Sequence, residues 1–352
     1  MNRNTLLGLT LATALAPPLA AAQDRVIQLA HDNNPDPFDN PGHACAAVFG
    51  NIVRSETNGA IDVDFFPNDQ VGTNTEQVQM TRDGVIQATI ASTGALASYY
   101  PRIDVLNLPF AFANNAATYE VFDGRFGKML KQDIEEELGD VVVLGFPDTG
   151  GFFAVTNSAK PIEDLADFEG IRVRTMTLPS HQVIMNALGA ESYPLAWGEL
   201  YSALQTGVID GQMNPVPIIS FSNLGEVQDY MTLTNHLFSP YIFLMSRSLW
   251  DELSEEEQKI VADAAQSCVV ASRGLARIIE ASDRGVSGLS DLMEISALDA
   301  DQRAQMRDAT QPAFEAHIED ALSEEGVALL EVLKEEANTA NASRYLDAAE
   351  GE

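Results

Sequence analysis

The chain has 352 residues, 45% of them hydrophobic, and its 52 acidic residues stand against 20 basic ones for a formal net charge of −32. That balance excludes nucleic acid as a partner, because binding a phosphate backbone needs a basic face. It reads instead as a solvated, self-repelling coat, tolerable in a saline habitat where the Debye length falls below about 8 Å.

The first residues carry the marks of a secretory signal: Arg3 is the positive start, Leu6 to Ala16 is a short apolar run, and Ala20-Ala21-Ala22 offers a cleavage site before Gln23. The run is shorter than the roughly 20 residues a membrane-spanning helix needs, and Pro17-Pro18 closes it. About 330 residues then remain, more than one hydrophobic core usually serves, so two lobes are expected. Cys45 and Cys268 are the only cysteines, and they admit either one long-range disulfide or two buried free thiols.

Short apolar strands then alternate with helical stretches, which predicts an α/β fold with mostly parallel sheets covered by helices. Strands are expected at Val26 to Ala30, Ile61 to Phe66, Ala88 to Ser92, Val141 to Pro147 and Ile171 to Thr175. Between them, a helix over Ala44 to Thr57 is stopped by Asn58-Gly59, and another over Glu76 to Asp83 is stopped by Gly84. The glycine pair Gly150-Gly151 suggests a change of lobe. A strand over Phe152 to Thr156 follows it, and an apolar strand over Leu237 to Met245 would bring the chain back. Ser254-Glu255-Glu256-Glu257 is a capped helix start, and the helical pattern runs on through Gln258 to Ala281, long enough to brace both lobes. The domain layout is therefore a signal peptide at 1–22, lobe I at 23–150 with 237–280 and the C-terminal helices returning to it, and lobe II at 151–236 with about 281–306. A disordered acidic tail is expected over 337–352.

Motifs for catalysis are missing. The five histidines (31, 43, 181, 236, 317) form no His-x-x-x-His pair, the cysteines form no CxxC, and there is neither a phosphate loop nor a nucleophile elbow. No cofactor, metal site or enzymatic activity is expected. The informative stretch is Gly170-Ile171-Arg172-Val173-Arg174-Thr175, where strand alternation sets both arginines on one face of a strand. At the carboxyl end of a sheet, a guanidinium can fork onto a ligand carboxylate. Surface pairing with an acid such as Glu169 is an equal reading of the same residues.

The run DFEGIRVRT at 167–175, followed by ALGAESYPLAWGELYSALQTGVIDGQMNP at 187–215, resembles the signature region of the DctP-type substrate-binding subunits of TRAP transporters. TNGAIDVDFFPNDQVG at 57–72 and VLNLPFAF at 105–112 resemble the same family's N-terminal half. The resemblance implies a two-lobed periplasmic solute-binding receptor that closes over a small carboxylate ligand and docks onto a membrane permease. A homodimer is an option, since some relatives pair through a C-terminal helix, and a sensor binding the same acids is the alternative function. Arg174 matches the family's carboxylate-binding arginine and Asn214 its pocket asparagine. Trp197, Phe110 and Phe112 are wall candidates, while His31, Asn33, Glu76, Ser92 and Thr93 lie where relatives contact the variable end of the ligand; Tyr241 joins them. Where many relatives carry a second arginine, this chain has Phe153. That favours a monocarboxylate such as a hydroxy acid, sugar acid, keto acid or zwitterion of the ectoine kind over a dicarboxylate.

Overall fold

The computed structural model describes residues 25–342, so the expected signal peptide at 1–22 lies outside the described residues, as do positions 343–352 of the expected tail. The described strands are β1 (Arg25–Ala30), β2 (Ile61–Phe66), β3 (Ala88–Ala91), β4 (Val141–Gly145), β5 (Phe153–Asn157), β6 (Arg172–Thr175), β7 (Glu191–Pro194), β8 (Gly211–Pro215), β9 (Tyr230–Leu233), β10 (Ile242–Ser246) and β11 (Glu294–Ala297). They form two sheets, one in the order β2-β1-β3-β10-β4 and the other in the order β11-β9-β5-β8-β6-β7. In the first sheet β1 runs parallel to β2 and β3, and β10 enters antiparallel between β3 and β4. In the second, β6 is parallel to both neighbours while β5 is antiparallel to β8 and β9. The central strands β5, β8 and β10 and the edge strand β4 are buried along their whole length, as expected for sheets covered on both faces.

Local chemistry sets the helix ends. The Pro41–Glu56 helix starts where the Asn40 side chain accepts from the Gly42 N–H, and it ends before Asn58 and Gly59, both at positive φ. Thr73 and Glu76 form a reciprocal capping box at the head of the Asn74–Arg82 helix, and Ser254 and Glu257 do the same for the Glu255–Glu280 helix. This last helix is 26 residues long and packs along the Pro41–Glu56 helix and β4, with a further contact to the Val216–Phe221 helix of the second lobe. The expected brace is thus in place. Facing positions on the Pro41–Glu56 and Glu255–Glu280 helices bring Cys45 and Cys268 together as a disulfide, so the free-thiol alternative falls. Both cysteines are fully buried, and the link closes a span of 223 residues, for which chain entropy predicts stabilisation of up to about 5 kcal/mol.

The chain passes between sheets at the β4–β5 connection, again at the β9–β10 connection, and after the long helix. The first passage contains Gly150 (φ 142°) and Gly151 (φ 96°). Asp148 accepts from both of their N–H groups (2.8 and 2.7 Å), and a Cβ on Gly151 would lie 2.4 Å from Arg277 Nη2. Glycine is required there by both dihedral and space.

Several expectations need correction. The apolar segment Leu237 to Met245 is a strand only from Ile242; its first half is the interlobe connection, where Phe238 bridges to Phe152. The C-terminal region is not wholly helical, since β11 interrupts it and pairs with β9. The tail does not fray at Ala337: the Glu324–Ala342 helix continues through it, with Ala337 and Ala340 buried. Strands β7, β8, β9 and β11 escaped the sequence pattern because they are four or five residues long and lack clean alternation.

Candidate functional site

Between the two sheets lies a cavity of about 460 Å³, within the range of small-ligand sites. Its walls come largely from segments that follow the carboxyl ends of strands. Asp32 and Asn33 follow β1, Asp69 lies in the turn after β2, and Ser92, Thr93 and Gly94 follow β3. Met176 and Thr177 follow β6, and Leu195 to Glu199 follow β7. This is the crevice position expected for open α/β sheets.

Arg174 lines the cavity at 3% exposure. Its Nε and Nη2 donate to the Leu195 carbonyl oxygen (3.0 and 2.8 Å), and its guanidinium lies 6.0 Å from the centre of the Trp197 ring. No carboxylate among the described residues forms an ion pair with it. Burial pulls its pKa down to about 10, opposed by the charges of Asp32 and Glu199, so it stays cationic at neutral pH. Arg172, two residues earlier, is spoken for: Asp210 accepts from its backbone N–H and its Nε (2.9 Å each) and from Nη2 (2.5 Å), while the Gly207 and Val208 carbonyls take further donors. The surface partner foreseen for these arginines, Glu169, is not the one used.

Asn214, 6% exposed, lines the cavity and donates to Gln212 Oε1 (2.6 Å). Gln212 donates to Thr156, and Thr156 to Gln228, so a buried chain of amides and hydroxyls holds the Asn214 side chain in place. Facing it on the first lobe, Asn33 donates to Asp32 Oδ1 (2.7 Å) and to the Tyr241 hydroxyl (2.8 Å). Thr93 Oγ1 meets Ser239 Oγ at 2.9 Å, and Ser92 is tied to Asn74 Oδ1 through both its N–H and its hydroxyl. Phe153 and Trp197 add apolar surface.

Eight of the twelve sequence-predicted residues are therefore brought to one cavity: Arg174, Asn214, Trp197, Phe153, Asn33, Ser92, Thr93 and Tyr241. Four are not. Glu76 is exposed and consumed by the capping box with Thr73, which holds its carboxyl below the usual range. His31 turns away from the cavity onto His43 (2.8 Å), and burial pushes its pKa down to about 3. Phe112 packs into the core against Phe122 and Phe238. Phe110, at φ 55°, donates its backbone N–H to His236 and packs on the same core.

Sequence reasoning missed Asp32, Asp69 and Glu199, all cavity-lining. Asp32 is buried, and burial with the nearby Asp69 raises its pKa to about 7; burial likewise raises Asp69 to about 6. In a chain with 52 acids, individual carboxylates carry little signal. Applying the strand-end rule to β1 and β2 would have selected the two aspartates, whereas Glu199 follows β7, which the sequence pattern does not reveal.

The pattern of the DctP family, described as bacterial extracellular solute-binding protein family 7, matches residues 34–320. A solute-binding protein of Roseobacter denitrificans is 33% identical over 280 residues, covering 80% of this chain and 84% of that protein. The C4-dicarboxylate-binding periplasmic protein DctP of Rhodobacter capsulatus is 30% identical over 324 residues, 90% of this chain and 94% of that protein. Among solved structures, a TRAP periplasmic solute-binding protein from Sulfitobacter with bound β-D-galacturonate superposes with a TM-score of 0.81 at 27% identity, covering 88% of this chain and all of that one. Matched along nearly its full described length in both sequence and fold, the chain belongs to the DctP family of TRAP transporter solute-binding proteins.

Proposed function

We propose that this chain is the periplasmic receptor of a TRAP transporter that captures a small organic acid by an arginine–carboxylate clamp at Arg174 and delivers it to the membrane permease. One observation carries the reading: Arg174, 97% removed from solvent in the wall of the interlobe cavity, has a backbone carbonyl as its only hydrogen-bond acceptor among the described residues. Burying a cation is costly unless a partner arrives, so the site is preorganised for an anion. The relatives named above carry a C4-dicarboxylate or a uronate, and both are small carboxylates. With Phe153 rather than a second cation in the wall, one carboxylate is the natural complement.

Closure follows as a population shift. A ligand touching Arg174 and Asn214 on one lobe and Asn33, Ser92 or Thr93 on the other binds the closed state better than the open one. The glycine pair at 150–151 and its counterpart connection at 234–241 would absorb the rotation.

Calorimetry on Arg174→Ala tests the clamp. Affinity for any carboxylate that the wild-type protein binds should fall by about 2 to 5 kcal/mol, roughly thirtyfold to several-thousandfold. Unchanged binding would remove the clamp from the mechanism.

A further inference from the structure

Resting on that reading, we propose that the cleft selects a small zwitterion, with its carboxylate on Arg174 and its cationic nitrogen on Asp32 and Asp69 across the cavity. Among the described residues that line the cavity, Asp32, Asp69 and Glu199 bear carboxyl groups and Arg174 is the single cation. A monoanion would add to an acidic excess in a water-poor space, and a dianion would add twice as much. A zwitterion adds no net charge, and it supplies each end of the cavity with the partner it lacks.

The first-lobe wall is also short of donors. Asp32 is 9% exposed, and a side-chain donor, Asn33 Nδ2, reaches only one of its oxygens. Asn33 is 7% exposed, its amide nitrogen is used on Asp32 and Tyr241, and its Oδ1 is buried without a hydrogen-bond partner. Asp69 accepts from Gln77 on one oxygen (3.0 Å). The acceptors of Asp32, Asn33 and Asp69 therefore gather on the first-lobe side of the cavity and the Arg174 guanidinium, with Glu199 near it, lies on the other, while Phe153, Trp197, Met176 and Ile218 line the space for a short carbon skeleton.

This assignment fixes the sign of a pH effect. Burial raises Asp32 to about 7 and Asp69 to about 6, each reinforced by a neighbouring acid, Asp69 for Asp32 and Glu76 for Asp69. The other charged or titratable groups facing Asp32 are Arg174, which favours its ionised form, and the Tyr241 hydroxyl, which stays protonated; Glu199 faces Arg174, and His31 is held neutral by burial. A cation binds the ionised carboxylates, so zwitterion affinity should rise as pH climbs through this window. A hydroxy-acid anion would meet growing repulsion and bind more weakly over the same range.

The test is calorimetry of the mature protein with glycine betaine, L-proline, β-alanine and γ-aminobutyrate on one arm and D-erythronate, D-galacturonate and succinate on the other. We expect binding on the first arm, tightening about fivefold or more between pH 6 and pH 8. In Asp32→Asn that affinity should drop about tenfold and its pH dependence flatten; the wild-type pH profile decides alone should this variant not fold. If only the second arm binds, or if affinity is flat or falls with rising pH, the zwitterion assignment is overturned and the receptor reading stands. If no carboxylate on either arm binds, both fall together.

Discussion

Arg172 and Arg174 sit two residues apart on β6, and their side chains have opposite fates. Asp210 and two backbone carbonyls hold Arg172 away from the cavity lining, whereas Arg174 is more deeply buried yet, among the described residues, donates only to the Leu195 carbonyl. The same contrast recurs between two aspartates of the first lobe. Asp148, 1% exposed, accepts from the N–H groups of Gly150 and Gly151 and from the Tyr119 hydroxyl (2.6 Å), with Arg277 3.8 Å away. Asp32, nearly as buried, has one side-chain donor. Where a buried charge is fully partnered inside the chain it organises structure, and where it is left short of partners beside a cavity it awaits something from outside.

That contrast can be broken most decisively at the two aspartates. Asp148→Ala removes a buried acceptor from the interlobe passage and leaves the Gly150 and Gly151 N–H groups and the Tyr119 hydroxyl without it, for which a loss of about 3 to 5 kcal/mol is expected in urea unfolding. Asp32→Asn should do the opposite in the ligand-free protein above neutral pH. The folded-state pKa of Asp32 is raised to about 7, so whatever stability its protonated form contributes is present at low pH and lost as pH rises through that value. An uncharged amide escapes that loss, and the variant should unfold at higher urea than wild type at about pH 8. Equal destabilisation by both substitutions would erase the distinction.

The arginine pair sharpens it at smaller amplitude. Arg172→Ala should leave ligand affinity within about threefold of wild type, since its donors are all spent on the 207–210 segment. A loss by Arg172→Ala comparable to that of Arg174→Ala, measured by calorimetry on the same ligand, would mean that the Arg172 cation reaches the anion too.

Much of the fold was legible in the sequence because its signals are local. Ser254 with Glu257 announces a helix start, Asn58-Gly59 announces a stop, and the first five strands expected in chain order are all present, each within two residues of its expected end. The disulfide was not legible, because pairing Cys45 with Cys268 depends on how two helices pack across 223 residues. For the site, Arg174 and Asn214 were marked by the family motif, and both reach the cavity. Glu76 and His31, both marked by the family resemblance, failed for one reason: a side chain already consumed by a cap or a ring partner cannot serve a ligand. Asp32, by contrast, is buried at the cavity with a side-chain donor, Asn33, on one of its oxygens.

A third buried acid tests the same rule far from the cavity. Asp104, 3% exposed, accepts from the Ser180 hydroxyl (2.5 Å) and N–H (3.2 Å) on the second lobe and from His317 Nε2 (3.1 Å) on the Ala300–Ala321 helix, so it fastens three elements. The hydrogen bond to Asp104 raises the His317 pKa, with help from the charges of Asp104 and Asp320 and against partial burial. A raised histidine pKa contributes stability that is fully present below the unfolded value of about 6.5 and is lost as pH rises through the folded one. His317→Gln should therefore lower the unfolding midpoint at about pH 5.5 by less than about 1 kcal/mol equivalent, with the gap closing at alkaline pH. A gap that widens with pH would show that the imidazole is held neutral and that its contact with Asp104 is an ordinary hydrogen bond.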